Sequence, residues 1–274
     1  MDLTTAQLRL NTGRNIPQLG FGVWQIPRGA PTREAVLAAL RAGYRHIDTA
    51  RIYGNEEDVG NAVRASGIPR EEIFVTTKLW NQDHGFDSAL HAFDQSLNRL
   101  RFDYVDLYLI HWPVPKLRLQ SWRALEQIHR DGRAHAIGVS NFMRLHLEEL
   151  LTVAKVVPAV DQIELSPFLQ HRETHAFCSK HGIVVEAYSP LTRGQRLDDP
   201  TLCEVARQIG RTPAQVLLRW GIEQGLVVLP KSAKAARISE NAALFDFELG
   251  SSAKATLDTL EAGLATGWDP RGET

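Results

Sequence analysis

Four ionisable side chains of four different kinds stand at or just beyond the ends of strand-like segments. Three short apolar runs of the sequence end on Asp48, Lys78 and His111. Tyr53 follows the first of these runs by five residues. If the three runs are neighbouring parallel strands, their carboxyl ends lie on one face and the four side chains meet there.

This set of side chains suits the reduction of a carbonyl group. A free phenol has a pKa of about 10, which makes it a weak proton donor at neutral pH. We expect the Lys78 ammonium to lower the pKa of the Tyr53 phenol, and we expect Asp48 to pair with Lys78 if the lysine is buried. His111 would hydrogen-bond the carbonyl oxygen and orient it. The hydride would come from a cofactor.

Each of the four residues also has an ordinary structural interpretation. Asp48 alone is as easily a helix cap, and Tyr53 alone is more often a packed aromatic residue. Lys78 alone is typical of a solvated side chain, and His111 alone is more often structural than catalytic. The four together, each at a strand end, favour the functional interpretation.

Strand and helix patterns alternate along the chain, after a small hairpin predicted at residues 7–17. The predicted strands are residues 19–22, 44–48, 73–78, 105–111, 134–140, 160–164, 183–188 and 227–231. The predicted helices are residues 32–42, 56–65, 87–100, 119–130, 144–154, 172–181, 212–224, 235–243 and 251–262. Within the third helix Leu90, Phe93, Leu97 and Leu100 share one face, and Asp87 is the predicted cap. The signature TPAQ at residues 212–215 predicts a capping box at the start of a later helix.

Eight strand–helix units in 274 residues predict an α/β protein folded as a single (β/α)8 TIM barrel. An amino-terminal β-hairpin precedes the barrel, and an extra helix follows it. A doubly wound sheet is the alternative, but its dinucleotide fingerprint needs G-x-G-x-x-G, and Gly20 and Gly22 are followed by Gln25. With no linker or shift in composition, residues 1–274 are predicted to form one domain.

Composition excludes several classes of partner. The formal net charge of −1 gives no reason to expect nucleic acid or an anionic membrane. The longest apolar runs have the length of strands, and the amino terminus lacks a signal-peptide pattern. Cys178 and Cys203 do not suggest a disulfide framework. We therefore expect a cytoplasmic protein.

Two other arrangements of polar residues give weaker signals. His171 and His175 lie four residues apart on a predicted helix, but there is no third ligand, so no metal site is expected. Glu164 and Glu186 lie on neighbouring predicted strands and form a possible glycosidase pair, which is kept as an alternative. That alternative predicts no binding of a nicotinamide cofactor.

Four segments, taken together, resemble the aldo-keto reductase family. They are residues 43–56 (GYRHIDTARIYGNE), 109–113 (LIHWP), 138–142 (GVSNF) and 229–232 (LPKS). The resemblance runs in order from about Leu8 to Leu249. The compact form of the chain is similar to the bacterial branch that includes 2,5-diketo-gluconate and methylglyoxal reductases.

The resemblance implies a role for each matching position. Tyr53 matches the proton donor, Lys78 and Asp48 the pair that tunes it, and His111 the histidine that orients the carbonyl. NADP(H) is the implied cofactor, a small carbonyl compound the substrate, and a monomer the implied state. The implied cofactor contacts are Ser140, Asn141 and Gln162 at the nicotinamide carboxamide, Tyr188 stacked on its ring, Ser189 and Leu191 along the pyrophosphate, Lys231, Ser232 and Arg237 at the 2′-phosphate, and Glu240 and Asn241 at the adenine. The implied substrate pocket is Trp24, Ile52, Trp80 and Trp112.

The sequence departs from the family pattern in two places. Residues 233–236 (AKAA) are richer in alanine than is usual, and the loop at residues 114–119 is short and basic. Two cations and a hydroxyl still suit a phosphate dianion, which favours NADP(H) over NAD(H). An NADPH-binding regulatory protein with little turnover is the alternative function. Trp268 either closes over the pocket or lies in an exposed tail.

Overall fold

This computed structural model describes residue 3 and residues 5–272, which contain ten strands and ten α-helices. The strands are β1 (Gln7–Arg9), β2 (Asn15–Pro17), β3 (Phe21–Gly22), β4 (His46–Asp48), β5 (Phe74–Leu79), β6 (Val105–Ile110), β7 (Ala134–Ser140), β8 (Val160–Glu164), β9 (Val184–Tyr188) and β10 (Val227–Leu229). The helices are α1 (Ala30–Arg41), α2 (Glu56–Ala65), α3 (Phe86–Leu100), α4 (Arg118–Arg130), α5 (Arg144–Leu151), α6 (Arg172–Lys180), α7 (Pro200–Ile209), α8 (Pro213–Glu223), α9 (Ala235–Ala242) and α10 (Gly250–Asp258).

Strands β3 to β10 form one parallel sheet in chain order, and its two edges meet. The Val228 N–H donates to Gln18 O at 2.9 Å, and the Gly20 N–H donates to Val228 O at 2.9 Å. These bonds join the segment before β3 to β10 and close the sheet into a barrel. The predicted (β/α)8 barrel is therefore confirmed.

The predicted amino-terminal hairpin is also present, as β1 paired antiparallel with β2. Its fully buried Ile16 belongs to the same apolar cluster as Leu107 and Leu109 of β6. Tyr108 and Ile110 of the same strand belong instead to the larger cluster that includes residues of the surrounding helices. The alternation follows from the two-residue period of a strand, which sends neighbouring side chains to opposite faces.

Helix α3 shows how the outer helices pack on the barrel. Its buried residues are Ala89, Ala92, Phe93, Ser96, Leu97 and Leu100, which recur at spacings of three and four. The predicted cap is wrong: Gly85 precedes the helix, with a φ of 122°, and Asp87 lies within the first turn. The carboxylate of Asp87 favours the helix there through the dipole.

Among the described residues, one helix was not predicted: α7, which begins at Pro200. The Asp199 carboxylate accepts the N–H groups of Thr201 and Leu202 at 3.0 and 3.1 Å and caps it. The next helix, α8, begins with the predicted capping box, in which Thr212 and Gln215 each accept the other's backbone N–H.

Some predicted boundaries shift by a few residues. Strand β10 ends at Leu229 rather than at residue 231, because Pro230 has no N–H to continue the ladder. His111 lies one residue beyond β6, and Lys78 lies one residue before the end of β5. No helix in the described part of the chain is long and apolar enough to cross a bilayer.

Candidate active site

A cavity of about 980 Å³ opens at the carboxyl ends of the barrel strands. This cavity is lined by Asp48 at the end of β4, by Tyr53 in the turn that follows β4, and by His111 just after β6. The side chain of Lys78 in β5 is fully buried beside them. The parallel strands therefore bring the four predicted residues together.

Lys78 and Asp48 form a buried ion pair. The Lys78 Nζ atom donates to both carboxylate oxygens of Asp48 at 2.7 Å, and to the backbone oxygen of Thr49 at 3.0 Å. A buried ammonium without such a partner would be costly. All three N–H donors of Lys78 thus have acceptors within hydrogen-bond distance.

Tyr53 is held beside this pair by a tight turn. The segment Arg51–Tyr53 forms one 3-10 turn, which ends at Gly54 with a φ of 69°. The Tyr53 ring centroid lies 5.2 Å from Lys78 Nζ. Burial, followed by the charges of Asp48 and Glu186, raises the pKa of the phenol well above its usual value. The predicted lowering of this pKa is not observed, because burial of the phenol disfavours its charged form.

His111 lies beside Tyr53 in the wall of the cavity. Its ring centroid lies 5.8 Å from that of Tyr53 and 5.4 Å from that of Trp80, both in edge-on contact. Burial, and then the charge of Lys78, lowers the pKa of His111 well below its ordinary value, so the imidazole is neutral. A neutral imidazole carries one N–H, which can donate to a carbonyl oxygen.

The predicted nicotinamide contacts form a connected network along β7, β8 and β9. Asn141 Nδ2 donates to the backbone oxygen of His111 at 2.9 Å, and Asn141 Oδ1 accepts from the Tyr188 hydroxyl at 2.8 Å. Ser140 Oγ donates to the backbone oxygen of Gln162 at 2.8 Å. All four residues line the cavity, so their side chains are held in place at its wall.

Gln162 has partners that the sequence did not indicate. Its Nε2 group donates to Asp48 Oδ2 at 2.9 Å and to Glu186 Oε2 at 2.6 Å. Its neighbour in the sheet is Glu186 itself. A single glutamine and a single glutamate in two strands give no sequence signal for this contact.

The other predicted cofactor residues line the same cavity toward β10 and α9. They are Ser189, Leu191, Lys231, Ser232, Arg237, Glu240 and Asn241. Ser232 Oγ accepts the backbone N–H of Lys234 at 3.0 Å, and Glu240 Oε1 accepts from the Thr212 hydroxyl at 2.7 Å. Lys234, in the alanine-rich segment, also lines the cavity. The cations at this end fit a phosphate group, and the cavity is long enough to reach from them to Tyr53.

The predicted substrate pocket is the aromatic part of the same wall. Trp24, Ile52, Trp80 and Trp112 all line the cavity. Trp268 stacks on Trp112 with ring centroids 4.4 Å apart. Thr266, two residues before Trp268, donates to Glu164 through its backbone N–H at 2.8 Å and through its hydroxyl. The segment after α10 therefore lies against the mouth of the barrel.

Arg193 is a cavity residue that the sequence analysis did not select. Its guanidinium lies 4.5 Å from the centroid of the Trp24 ring, and its backbone has a φ of 53°. Its position depends on the loop after β9, whose left-handed residues are not visible in the sequence pattern.

The alternative sites receive no support from the geometry. Glu164 accepts from Thr266, and Glu186 is fully buried beside Gln162; neither belongs to the cavity lining. The described residues contain no group of three or more His, Cys, Asp or Glu side chains that fits a metal ion.

Comparison with known proteins agrees with this geometry. The model of the aldo/keto reductase family matches residues 18–262. An aldo-keto reductase of Mycolicibacterium smegmatis is 50% identical over 97% of both chains, and the glyoxal reductase of Bacillus subtilis is 46% identical over 96% of this chain and 95% of its own. The crystal structure of an aldo/keto reductase from Brucella melitensis superposes with a TM-score of 0.90 at 51% identity, covering 93% of this chain and 99% of that one.

Proposed function

The chain belongs to the aldo/keto reductase family, and on that premise we propose that it is an NADPH-dependent reductase of small aldehydes and ketones. Tyr53 is the proposed proton donor. The arrangement of Asp48, Tyr53, Lys78 and His111 at one cavity supports this proposal most directly.

The four residues have distinct proposed roles. Tyr53 holds its proton at neutral pH because burial raises the pKa of the phenol, and this is the state that a donor must have before reduction. The neutral His111 orients the carbonyl oxygen toward the phenol. Lys78, fixed by Asp48, places a positive charge 5.2 Å from the Tyr53 ring. That charge stabilises the phenolate that forms as the proton leaves.

NADP(H) is the proposed cofactor, and it would supply the hydride when bound. Ser140, Asn141, Gln162 and Tyr188 would hold the nicotinamide. Lys231, Ser232 and Arg237 lie in the same cavity, after the last barrel strand. Two cations and a hydroxyl match a phosphate dianion, which supports NADPH over NADH.

The proposed substrates are small carbonyl compounds such as methylglyoxal or keto-sugars. Trp24, Trp80 and Trp112 give the cavity an aromatic wall beside His111. The name of the Bacillus subtilis relative, glyoxal reductase, supports testing methylglyoxal first. We propose that the enzyme acts as a single-domain cytoplasmic monomer.

The proposal is tested by titrating NADPH and NADH against the quenching of tryptophan fluorescence. NADPH oxidation is then followed with methylglyoxal and with a panel of aldehydes, ketones and keto-sugars. Binding with turnover is the expected result. Binding of NADPH without turnover of any carbonyl would favour the regulatory alternative, and failure to bind either cofactor would overturn the proposal.

A further inference from the structure

Glu186 is a buried acid inside the barrel that the proposed mechanism does not use. Its side chain is fully buried in β9, and its Oε2 atom accepts from Gln162 Nε2 at 2.6 Å. Its Oε1 atom has no hydrogen-bond partner among the described residues. The polar atom His46 Nε2 lies 3.6 Å from Oε1, but it is already engaged with Thr76 Oγ1 at 3.0 Å.

The surroundings of Glu186 keep it neutral at pH 7. Burial, and then the negative charge of Asp48, raises the pKa of Glu186 to about 8. Burial lowers the pKa of His46 to about 4, so this neighbour provides no positive charge. Lys78 is bound to both oxygens of Asp48. Glu186 thus remains a carboxylic acid whose Oε2 atom accepts a hydrogen bond.

Gln162 is fixed between two carboxyl groups. One amide nitrogen, Nε2, donates to Asp48 at 2.9 Å and to Glu186 at 2.6 Å, which uses both of its N–H bonds. A half-turn of the amide would exchange Nε2 and Oε1. The carbonyl oxygen would then lie against Asp48 Oδ2 and Glu186 Oε2, which both accept hydrogen bonds from Gln162 in this structure. Its Oε1 atom is left to accept from a ligand, and Gln162 lines the cavity.

We propose that Glu186 is a positioning residue that holds the Gln162 carbonyl oxygen toward the carboxamide NH2 of the nicotinamide. The proposal rests on the proposed function, because it needs a nicotinamide cofactor in the cavity. The new element is that Glu186 contributes to recognition of the cofactor amide through Gln162, without contacting the cofactor itself. Glu186 would act on the ring's orientation and not on proton transfer.

The test uses a cofactor analogue that lacks the amide donor. In 3-acetylpyridine adenine dinucleotide phosphate a methyl group replaces the carboxamide NH2. Dissociation constants for this analogue and for NADP⁺ are measured by tryptophan fluorescence in the absence of substrate. The wild-type protein is expected to bind NADP⁺ about tenfold more tightly than the analogue. A tenfold ratio of dissociation constants corresponds to the free energy of about one good hydrogen bond.

Glu186→Met removes the acceptor and is expected to reduce this preference to about twofold or less. The loss should come from weaker binding of NADP⁺, with the affinity for the analogue nearly unchanged. Gln162→Met should show the same loss of preference. Glu186→Gln keeps a carbonyl acceptor in the same place and is expected to retain the preference.

Each other outcome has a defined meaning. If Glu186→Met weakens both cofactors equally, or weakens neither, the residue is structural and the inference is overturned. A wild-type protein that binds both cofactors equally also overturns it, while leaving the proposed function intact. A wild-type protein that binds neither would overturn the proposed function instead. If Glu186→Met does not fold, Glu186→Asp takes its place in the test. The shorter side chain moves the carboxyl acceptor away from Gln162, so the preference for NADP⁺ over the analogue is expected to fall.

Discussion

At the scale of single residues, Tyr53 gives the most direct test of the mechanism. Tyr53→Phe removes the proton donor and is expected to lower kcat by about 10²-fold or more, the scale of general-acid catalysis. The fold and the dissociation constant for NADPH should stay within about twofold, because the ring is retained. Steady-state kinetics and fluorescence titration measure the two effects.

The matched control is Tyr104→Phe, since the Tyr104 ring stacks on His135 and lies outside the cavity lining. This variant should keep wild-type kcat. Full activity in Tyr53→Phe would contradict the assignment of the proton donor.

Glu186 also gives a prediction about stability and pH. The unfolded carboxyl group loses its proton near its ordinary pKa of 4.5, whereas the folded group keeps it until about pH 8. Between these values the folded state binds more protons, so this group lowers stability as pH rises. Glu186→Gln has no such group, so the free energy of unfolding of this variant should rise relative to that of the wild type as the pH increases from 5 to 8.

Urea denaturation of both proteins at four pH values measures this difference. Glu57→Gln is the control, because Glu57 is exposed and its variant should follow the wild-type curve. A gap that stays constant with pH would show that Glu186 ionises in the folded protein as it does in the unfolded chain.

The residue types at strand ends allowed the Asp48–Lys78 pair to be predicted, because a buried ammonium requires a carboxylate. The predicted direction of the Tyr53 pKa shift was wrong, since it depends on the depth of burial and on the negative charges of Asp48 and Glu186 near the phenol. The contact between Gln162 and Glu186 was not predicted. It depends on the register of β8 against β9, which a single sequence does not reveal.

At the scale of elements, the close contact between α2 and α3 depends on a glycine. A Cβ atom added at Gly60 would lie 2.0 Å from the backbone oxygen of Leu100. Gly60→Ala gains about 1 kcal/mol of helix propensity but must push two helix backbones apart. The expected result is a net loss of about 2 kcal/mol in the free energy of unfolding.

Urea denaturation measures the loss, and Gly210→Ala is the comparison variant. Gly210 has a φ of 69° with open space around it, so its substitution costs only the left-handed conformation, about 1 kcal/mol. If Gly60→Ala proved as stable as wild type, the two helices would lie further apart than the structure shows.

Helices that follow a predicted strand were found from the sequence, and the helix that follows a long loop was not. The buried face of α3 follows from its spacing, whereas α7 begins at an Asp-Pro pair within a polar loop. Strand β10 is predicted to extend to residue 231, but it ends before Pro230, which has no N–H for the ladder. The chain leaves the sheet at the proline, which brings Lys231 to the cavity.

At the scale of the whole molecule, barrel closure places two groups of residues on opposite sides of the mouth. Strands β6 and β10 are four positions apart in a ring of eight strands. Trp112 follows β6 and stacks with Trp268, whereas Lys231 and Arg237 follow β10. The substrate end and the phosphate end of the cavity should therefore act independently.

This independence predicts how two variants combine. Arg237→Met is expected to raise the dissociation constant for NADPH by about tenfold or more and to leave that for NADH unchanged, because only NADPH carries the 2′-phosphate. Trp268→Ala removes a stacked aromatic pair and is expected to raise KM for an aromatic aldehyde about fivefold, with little change for methylglyoxal.

The double variant should show both changes at full size, since free-energy effects add when the altered side chains share no partner. Fluorescence titration gives the cofactor constants, and steady-state kinetics at saturating NADPH gives KM. A double variant whose KM or dissociation constant differs from the corresponding single variant by more than about threefold would show that the segment after α10 couples the two ends. In that case cofactor binding would also change the proteolytic sensitivity of residues 263–272, because the segment that carries Trp268 would move when the phosphate end is filled.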